Sequence, residues 1–105
     1  MIYCVMRIIA KSVLKRFAAQ HPDARPALER WLLLLSAASW RSMQEVQRTS
    51  PGARPLNAER VRFAVAGGAY RMIISIDFAR QIVFIKFIGT HAEYDVVDAL
   101  TVSQF

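Results

Sequence analysis

The chain of 105 residues has a single cysteine, Cys4. That forbids an internal disulfide, and an apolar setting among Ile2, Tyr3 and Val5 suits a buried, inert thiol. Glycine and proline are scarce, four of each against 54% apolar residues, which excludes a collagen-like repeat, a low-complexity linker and a disordered tail. Long hydrophobic runs are missing too. The stretches Trp31 to Leu35 and Ile82 to Ile85 fall far short of the ~20 residues of a membrane span. No positive charge precedes the apolar start, and Arg7 and Lys11 interrupt it, so no secretory signal is expected and the cytoplasm is the expected location. Met6 serves as well as Met1 for a first residue. There is no glycine-rich phosphate loop, nucleophile elbow or Cys-X-X-Cys, which removes kinases, hydrolases of that type and zinc modules. Glu93, Asp95 and Asp98 cluster without a second group at ligand spacing, so neither a metal nor a cofactor is expected.

Acidic residues are also in deficit, eight against fourteen basic ones, for a formal charge of +6. Eleven of the fourteen are arginine, the side chain best shaped for bidentate phosphate contacts. The excess is concentrated in residues 1–62, with eleven basic and four acidic groups, while residues 63–105 carry three and four. Charge alone fits RNA, DNA and an acidic protein equally.

The length suits one domain, 1–105. Tyr3 to Ile9, short and rich in Ile, Val and Tyr, reads as a strand. From Lys11 to Gln20, Val13, Leu14, Phe17 and Ala18 recur at helical spacing, with Lys11, Lys15 and Arg16 on the other side. That basic stripe is most simply a solvated helix face, and gripping RNA phosphates is its second reading. His21 and Pro22 end the helix, Asp23 is placed to cap the next, and Ala24 to Ser39 reads as a second helix with Pro26 in its first turn. Trp31 and Trp40 read as core anchors, and His21 as structural. Ser42 and Glu45 form a capping-box pattern for a short helical turn, closed by Ser50, Pro51 and Gly52.

The period then changes from helix to strand. Val61, Phe63 and Val65 alternate with Arg60, Arg62 and Ala64; Gly67 and Gly68 suit a two-residue hairpin turn; Met72, Ile74 and Ile76 resume the alternation. A second reversal at Ala79 to Gln81 leads to the apolar strand Ile82 to Ile88. The pattern is α+β, an antiparallel sheet of three to four strands with two N-terminal helices on one face and a short C-terminal helix. Placing the turns sets Arg60 opposite Ser75, Arg62 opposite Ile73 and Ala64 opposite Arg71, then Ile73 opposite Lys86 and Arg71 opposite Ile88. One face is then wholly apolar, from Val61, Phe63 and Val65 through to Val83, Ile85 and Phe87, and should carry the helices. The other gathers Arg60, Arg62, Arg71 and Lys86, whose mutual repulsion favours a bound anion.

After the last strand, Thr90 and Glu93 match a capping box, so a helix begins there with His91 and Tyr94 on one side of its first turn. Taken singly, His91 reads as a capping or surface residue, Tyr94 as packing, and each arginine as a solvated strand residue. Together they suit RNA self-cleavage, in which a 2′-hydroxyl attacks the neighbouring phosphate. Arg60, Arg62, Lys11 and Lys15 are the candidate RNA-binding residues.

Several of these stretches resemble the HigB toxins of type II toxin-antitoxin systems, relatives of the RelE-like ribonucleases. They are Met6 Arg7 Ile8 Ile9 Ala10, His21 Pro22 Asp23 Ala24, Trp40, Tyr70 Arg71, and above all Phe87 Ile88 Gly89 Thr90 His91 Ala92 Glu93 Tyr94 Asp95. The likeness runs over nearly the whole chain from Met6. It implies a RelE-like domain that cuts mRNA on the ribosome and arrests translation, neutralised by a HigA-like helix-turn-helix antitoxin through which alone it meets operator DNA. It further implies that His91 and Tyr94 are the candidate acid-base pair, handling protons or stacking on a base, and that Arg71 and Lys86 are the basic sheet residues that stabilise the phosphate. Ala64, Ala66 and Ala69 depart from the family, whose members often carry Asn or Lys there. Against a ribonuclease stand two other readings, a non-catalytic RNA- or ribosome-binding module and a domain for an acidic protein partner.

Overall fold

A computed structural model of the chain describes residues 6–105. The expected positions of Cys4 and of the first strand's beginning at Tyr3 lie outside the described residues. The elements are β1 (Arg7–Ile9), α1 (Lys11–Gln20), α2 (Arg25–Ala37), α3 (Met43–Thr49), β2 (Arg54–Pro55), β3 (Arg60–Val65), β4 (Tyr70–Asp77), β5 (Ile82–Thr90) and α4 (His91–Asp95). The fold class is α+β as expected, but the sheet has five strands in the order β1-β5-β4-β3-β2 and is mixed, because β1 pairs parallel to β5. Two residues of β2 were too short a run to show an alternation, and a parallel partner must come from a distant stretch of chain.

The helices follow the sequence closely. α1 buries Val13, Leu14 and Ala18 and keeps Lys11, Lys15 and Arg16 exposed. A 3₁₀ turn, Pro22–Ala24, separates it from α2, which therefore begins at Arg25 and ends at Ala37, inside the expected Ala24 to Ser39. Asp23 does not cap α2; the N-cap is Ala24, without a side-chain bond, and both Asp23 oxygens instead accept from Tyr70 Oη at 2.8 Å. At α3, Ser42 Oγ accepts from Glu45 N, while the Glu45 carboxylate reaches back to Arg41 N, one residue beyond the expected partner. Trp40 is 4% exposed and donates its indole N–H to Thr49, whereas Trp31 is half-buried with its ring 4.4 Å from that of Phe63.

β3 and β4 pair in the expected register, Arg60 with Ser75, Arg62 with Ile73 and Ala64 with Arg71. Gly67 and Gly68 form the centre of the expected turn, with Ala69 N donating to Ala66 O at 3.4 Å, although the ladder itself ends one pair earlier. The last pair is Val65 with Tyr70, and the loop between them places Ala66, Gly67 and Gly68 all at positive φ. The β4–β5 register is as expected from Asp77 to Ile74, then shifts by one residue between Ile74 and Ile73. Ile73 pairs with Phe87 rather than Lys86, and Arg71 with Gly89 rather than Ile88. Lys86 is thus the extra residue of a β-bulge, and a bulge resets which side chains face which way beyond it. Phe87 moves off the expected helix face, and Ile88 takes its place in the core with Val61, Phe63, Met72, Ile74 and Ile85 beneath Leu14, Leu28 and Leu35.

Candidate nucleic-acid site on the open sheet face

On the face away from the helices, cross-strand pairing lines up Arg62, Ile73 and Phe87 in one row, and Ala64, Arg71 and Gly89 in the next. Arg62 and Arg71 are diagonal neighbours, for which Cα separations of ~7–8 Å are usual. The bulge keeps Lys86 on this side, its Nζ 5.4 Å from the ring centroid of Phe84 two residues earlier. Lys86 lies three residues down β5 from Gly89, a rise of ~10 Å. The expected grouping of Arg60, Arg62, Arg71 and Lys86 on one face therefore follows the strand pairing, with Arg62 and Arg71 adjacent and Lys86 farther down.

Gly89 leads directly into α4. Thr90 Oγ1 accepts from Glu93 N at 3.1 Å, and Glu93 Oε1 accepts from Thr90 N at 2.8 Å, a complete capping box. A backbone bond from His91 N to Ala69 O, 3.1 Å, anchors the start of α4 to the loop before Arg71. His91 is exposed, and its Nδ1 lies 3.0 Å from Asp95 Oδ2. Tyr94 is half-buried between two neighbours: the Arg62 guanidinium carbon sits 5.7 Å over its ring, and Phe87 meets it edge-on at 6.1 Å.

The two central arginines are held differently. Arg71 Nη1 donates to the carbonyls of Gly68 and Tyr70, which fixes its guanidinium beside the loop. The Nε atoms of both Arg62 and Arg71 are buried and have no hydrogen-bond partner among the described residues. Arg60 spends its Nη1 within the fold, donating to Ala99 O at 3.1 Å and Val102 O at 2.8 Å. Lys11 and Lys15 stand exposed on α1, on the helix side of the sheet, and are not brought to this face.

Residues 96–105, of which only Asp98 draws notice in the sequence, matter here. They run from α4 past Arg60 on β3 to β5, where Gln104 N donates to Lys86 O and Gln104 Oε1 accepts from Ile88 N. They cross the sheet where Ile73 and Phe87, 0% and 1% exposed, would otherwise meet water. A second group, drawn from two stretches of the family resemblance whose contact the sequence did not show, supports the site from the helix side. Tyr70, the neighbour of Arg71, is buried with its hydroxyl on Asp23 and its ring edge against Phe17 and His21. The Asp23 carboxylate it bonds holds its phenol pKa above the ordinary value, with burial adding to the effect. The clue was the pairing of His21 Pro22 Asp23 with Tyr70, 47 residues apart, which no local pattern reveals.

A helix-backed mixed sheet with arginines on its open face and a short C-terminal helix at one edge is an α+β domain consistent with the RelE-like fold. Residues 24–97, well over half the chain, match the HigB toxin family, the RelE-like toxic component of a toxin-antitoxin system, and the protein belongs to that family. No curated protein gives a match. As a member of such a family the protein has an antitoxin for a partner. Among the described residues no helix is long and apolar enough to cross a membrane.

Proposed function

We propose that the protein is a metal-independent endoribonuclease that cleaves mRNA on the ribosome and so arrests translation. The observation that carries this reading is the pairing of Arg71 with Gly89, two residues before the turn bearing His91 and Tyr94, with the Arg71 guanidinium held on the carbonyls of Gly68 and Tyr70. In the reaction a ribose 2′-oxygen attacks its own 3′-phosphorus and the P–O5′ bond breaks, leaving a 2′,3′-cyclic phosphate and a 5′-hydroxyl. Negative charge builds on the phosphoryl oxygens as the attack proceeds. Arg71 and Arg62 are the groups to stabilise it, and Lys86, ~10 Å farther down β5, is placed to meet a neighbouring phosphate. One proton must leave the 2′-hydroxyl and one must reach the 5′-oxygen, the work of His91 and Tyr94. A bond from His91 Nδ1 to Asp95 leaves Nε2 as the outward acceptor, and Arg62 over the Tyr94 ring stabilises a developing phenolate.

The cognate antitoxin is taken to be of the HigA-like helix-turn-helix type, with operator DNA reached only through it, and the cytoplasm is taken as the place of action. The test is a brief pulse of expression without antitoxin, followed by mapping of RNA 5′ ends. New ends inside translated messages are expected, absent with His91→Ala and with Tyr94→Phe. Growth arrest with intact messages would refute cleavage. Salt-sensitive RNA binding indifferent to His91 would then favour the non-catalytic module.

A further inference from the structure

Outside the open face, one depression combines the chemistry needed to hold a nucleotide. It is a cleft of about 460 Å³ between α1, the outer edge of β5 and residues 104–105. That volume lies in the usual range of ligand sites, about 300–1,000 Å³. Arg16, Phe17, Gln20, His21, Glu93 and Phe105 line it. Phe17 and His21 are stacked, centroids 4.1 Å apart and 23° from parallel, and Phe105 is 55% exposed, its ring in no aromatic pair among the described residues. Arg16 is exposed and has no acidic partner among the described residues. Glu93 uses Oε1 for the Thr90 cap, and its other carboxylate oxygen has no hydrogen bond among the described residues.

Aromatic rings give a π-face to unstacked bases, arginine takes phosphate, and a carboxylate oxygen accepts from a base amino group. The geometry points to a base-reading subsite for single-stranded RNA, which takes a base with an exocyclic amino group. The base stacks within the cleft with its amino edge on Glu93, and its phosphate lies against Arg16. Glu93 also ties the cleft to the proposed cleavage site, since it shares the single turn of α4 with His91 and Tyr94. RNA reaching from the open face over the end of β5 therefore meets this cleft next. The subsite rests on the ribonuclease reading for its choice of RNA, but not for its test.

The experiment is fluorescence anisotropy of labelled hexa-adenylate and hexa-uridylate, both 2′-O-methylated so that no cleavage intervenes. Hexa-adenylate is expected to bind the original protein at least fivefold more tightly than hexa-uridylate. Glu93→Gln keeps the helix cap, since glutamine also serves in a capping box, and should erase most of that preference. Arg16→Ala combined with Phe105→Ala should weaken both oligomers at least fivefold with an unchanged circular dichroism spectrum. Affinity within twofold of the original in that double variant overturns the subsite. Equal affinity of the original protein for the two oligomers overturns the role of Glu93. Cleavage is judged separately by 5′-end mapping: His91→Ala should lose the cuts yet keep oligomer affinity, so failure of one reading leaves the other standing.

Discussion

Tyr70 and His91 each owe their setting to an aspartate, and the two pairs answer to different measurements. Tyr70 Oη is held by both oxygens of Asp23, and its pKa is raised mainly by that carboxylate. A folded-state pKa above the unfolded value means the folded chain holds the proton more tightly. The resulting stabilisation is complete below pH about 10, the unfolded tyrosine value, and fades as pH rises through the folded one. Denaturant midpoints should therefore fall more steeply above that pH in the original protein than in Tyr70→Phe, and parallel curves would contradict the assignment. At His91 the partner acts on orientation. Asp95→Asn keeps the size of the side chain but removes the charge facing Nδ1. General acid-base groups contribute about 10²–10⁴ in rate, so His91→Ala should lose at least that, and Asp95→Asn a smaller factor, read from single-turnover cleavage of a ribosome-bound message.

Between elements, the tightest constraint is where β5 becomes α4. A Cβ on Gly89 would lie 2.8 Å from Phe87 Cζ and 3.0 Å from Glu93 Oε1. Phe87 is 1% exposed and cannot swing away, and Glu93 is fixed by the cap. Gly89→Ala should therefore cost about 1–3 kcal/mol in denaturant unfolding, the usual range for an overpacked site, with an unchanged m value. This junction also separates what the sequence made legible from what it did not. The capping box at Thr90 and Glu93 and the register of β3 against β4 were readable because they depend on local spacing and on alternating apolar and polar residues. The bulge at Lys86 was not, because Phe87 and Ile88 are both large and apolar and either could face the core. The α1 boundaries were legible from the apolar stripe and the His21 Pro22 stop, whereas the parallel β1–β5 pair joins segments over 70 residues apart. Of the site, the cations and the His/Tyr turn were visible as residue types. The Tyr70 and Asp23 support was hidden by the same long separation, and the placement of Lys11 and Lys15 required knowing which sheet face the helices cover.

Across the whole molecule, helices close one face of the sheet, and the path of residues 96–105 closes part of the other. The sheet therefore buries apolar side chains on both faces, Ile74 and Ile85 beneath the helices, Ile73 and Phe87 opposite. Arg60 holds this second cover through two carbonyls, and hydrogen bonds from a charged donor contribute ~1.5–3 kcal/mol when both partners are shielded. Arg60 is only half-buried, which places the cost of Arg60→Ala near the lower end of that range. The loss should be local. Amide exchange should accelerate at Gln104, whose N–H bonds Lys86 O, while the amides of β4 stay protected. Arg62 presents a different balance, since among the described residues its guanidinium makes no hydrogen bond and lies over the Tyr94 ring. A phosphate contact made by one arginine contributes ~0.7 to the slope of log affinity against log salt for single-stranded RNA. Arg62→Ala should reduce that slope by such an amount with little change in Gln104 exchange. Arg60→Ala should do the reverse, speeding exchange while leaving the slope near its original value. A fall in slope for Arg60→Ala equal to that for Arg62→Ala would show that Arg60 gives up its carbonyl bonds for phosphate when RNA arrives, and that the cover over Ile73 and Phe87 opens with it.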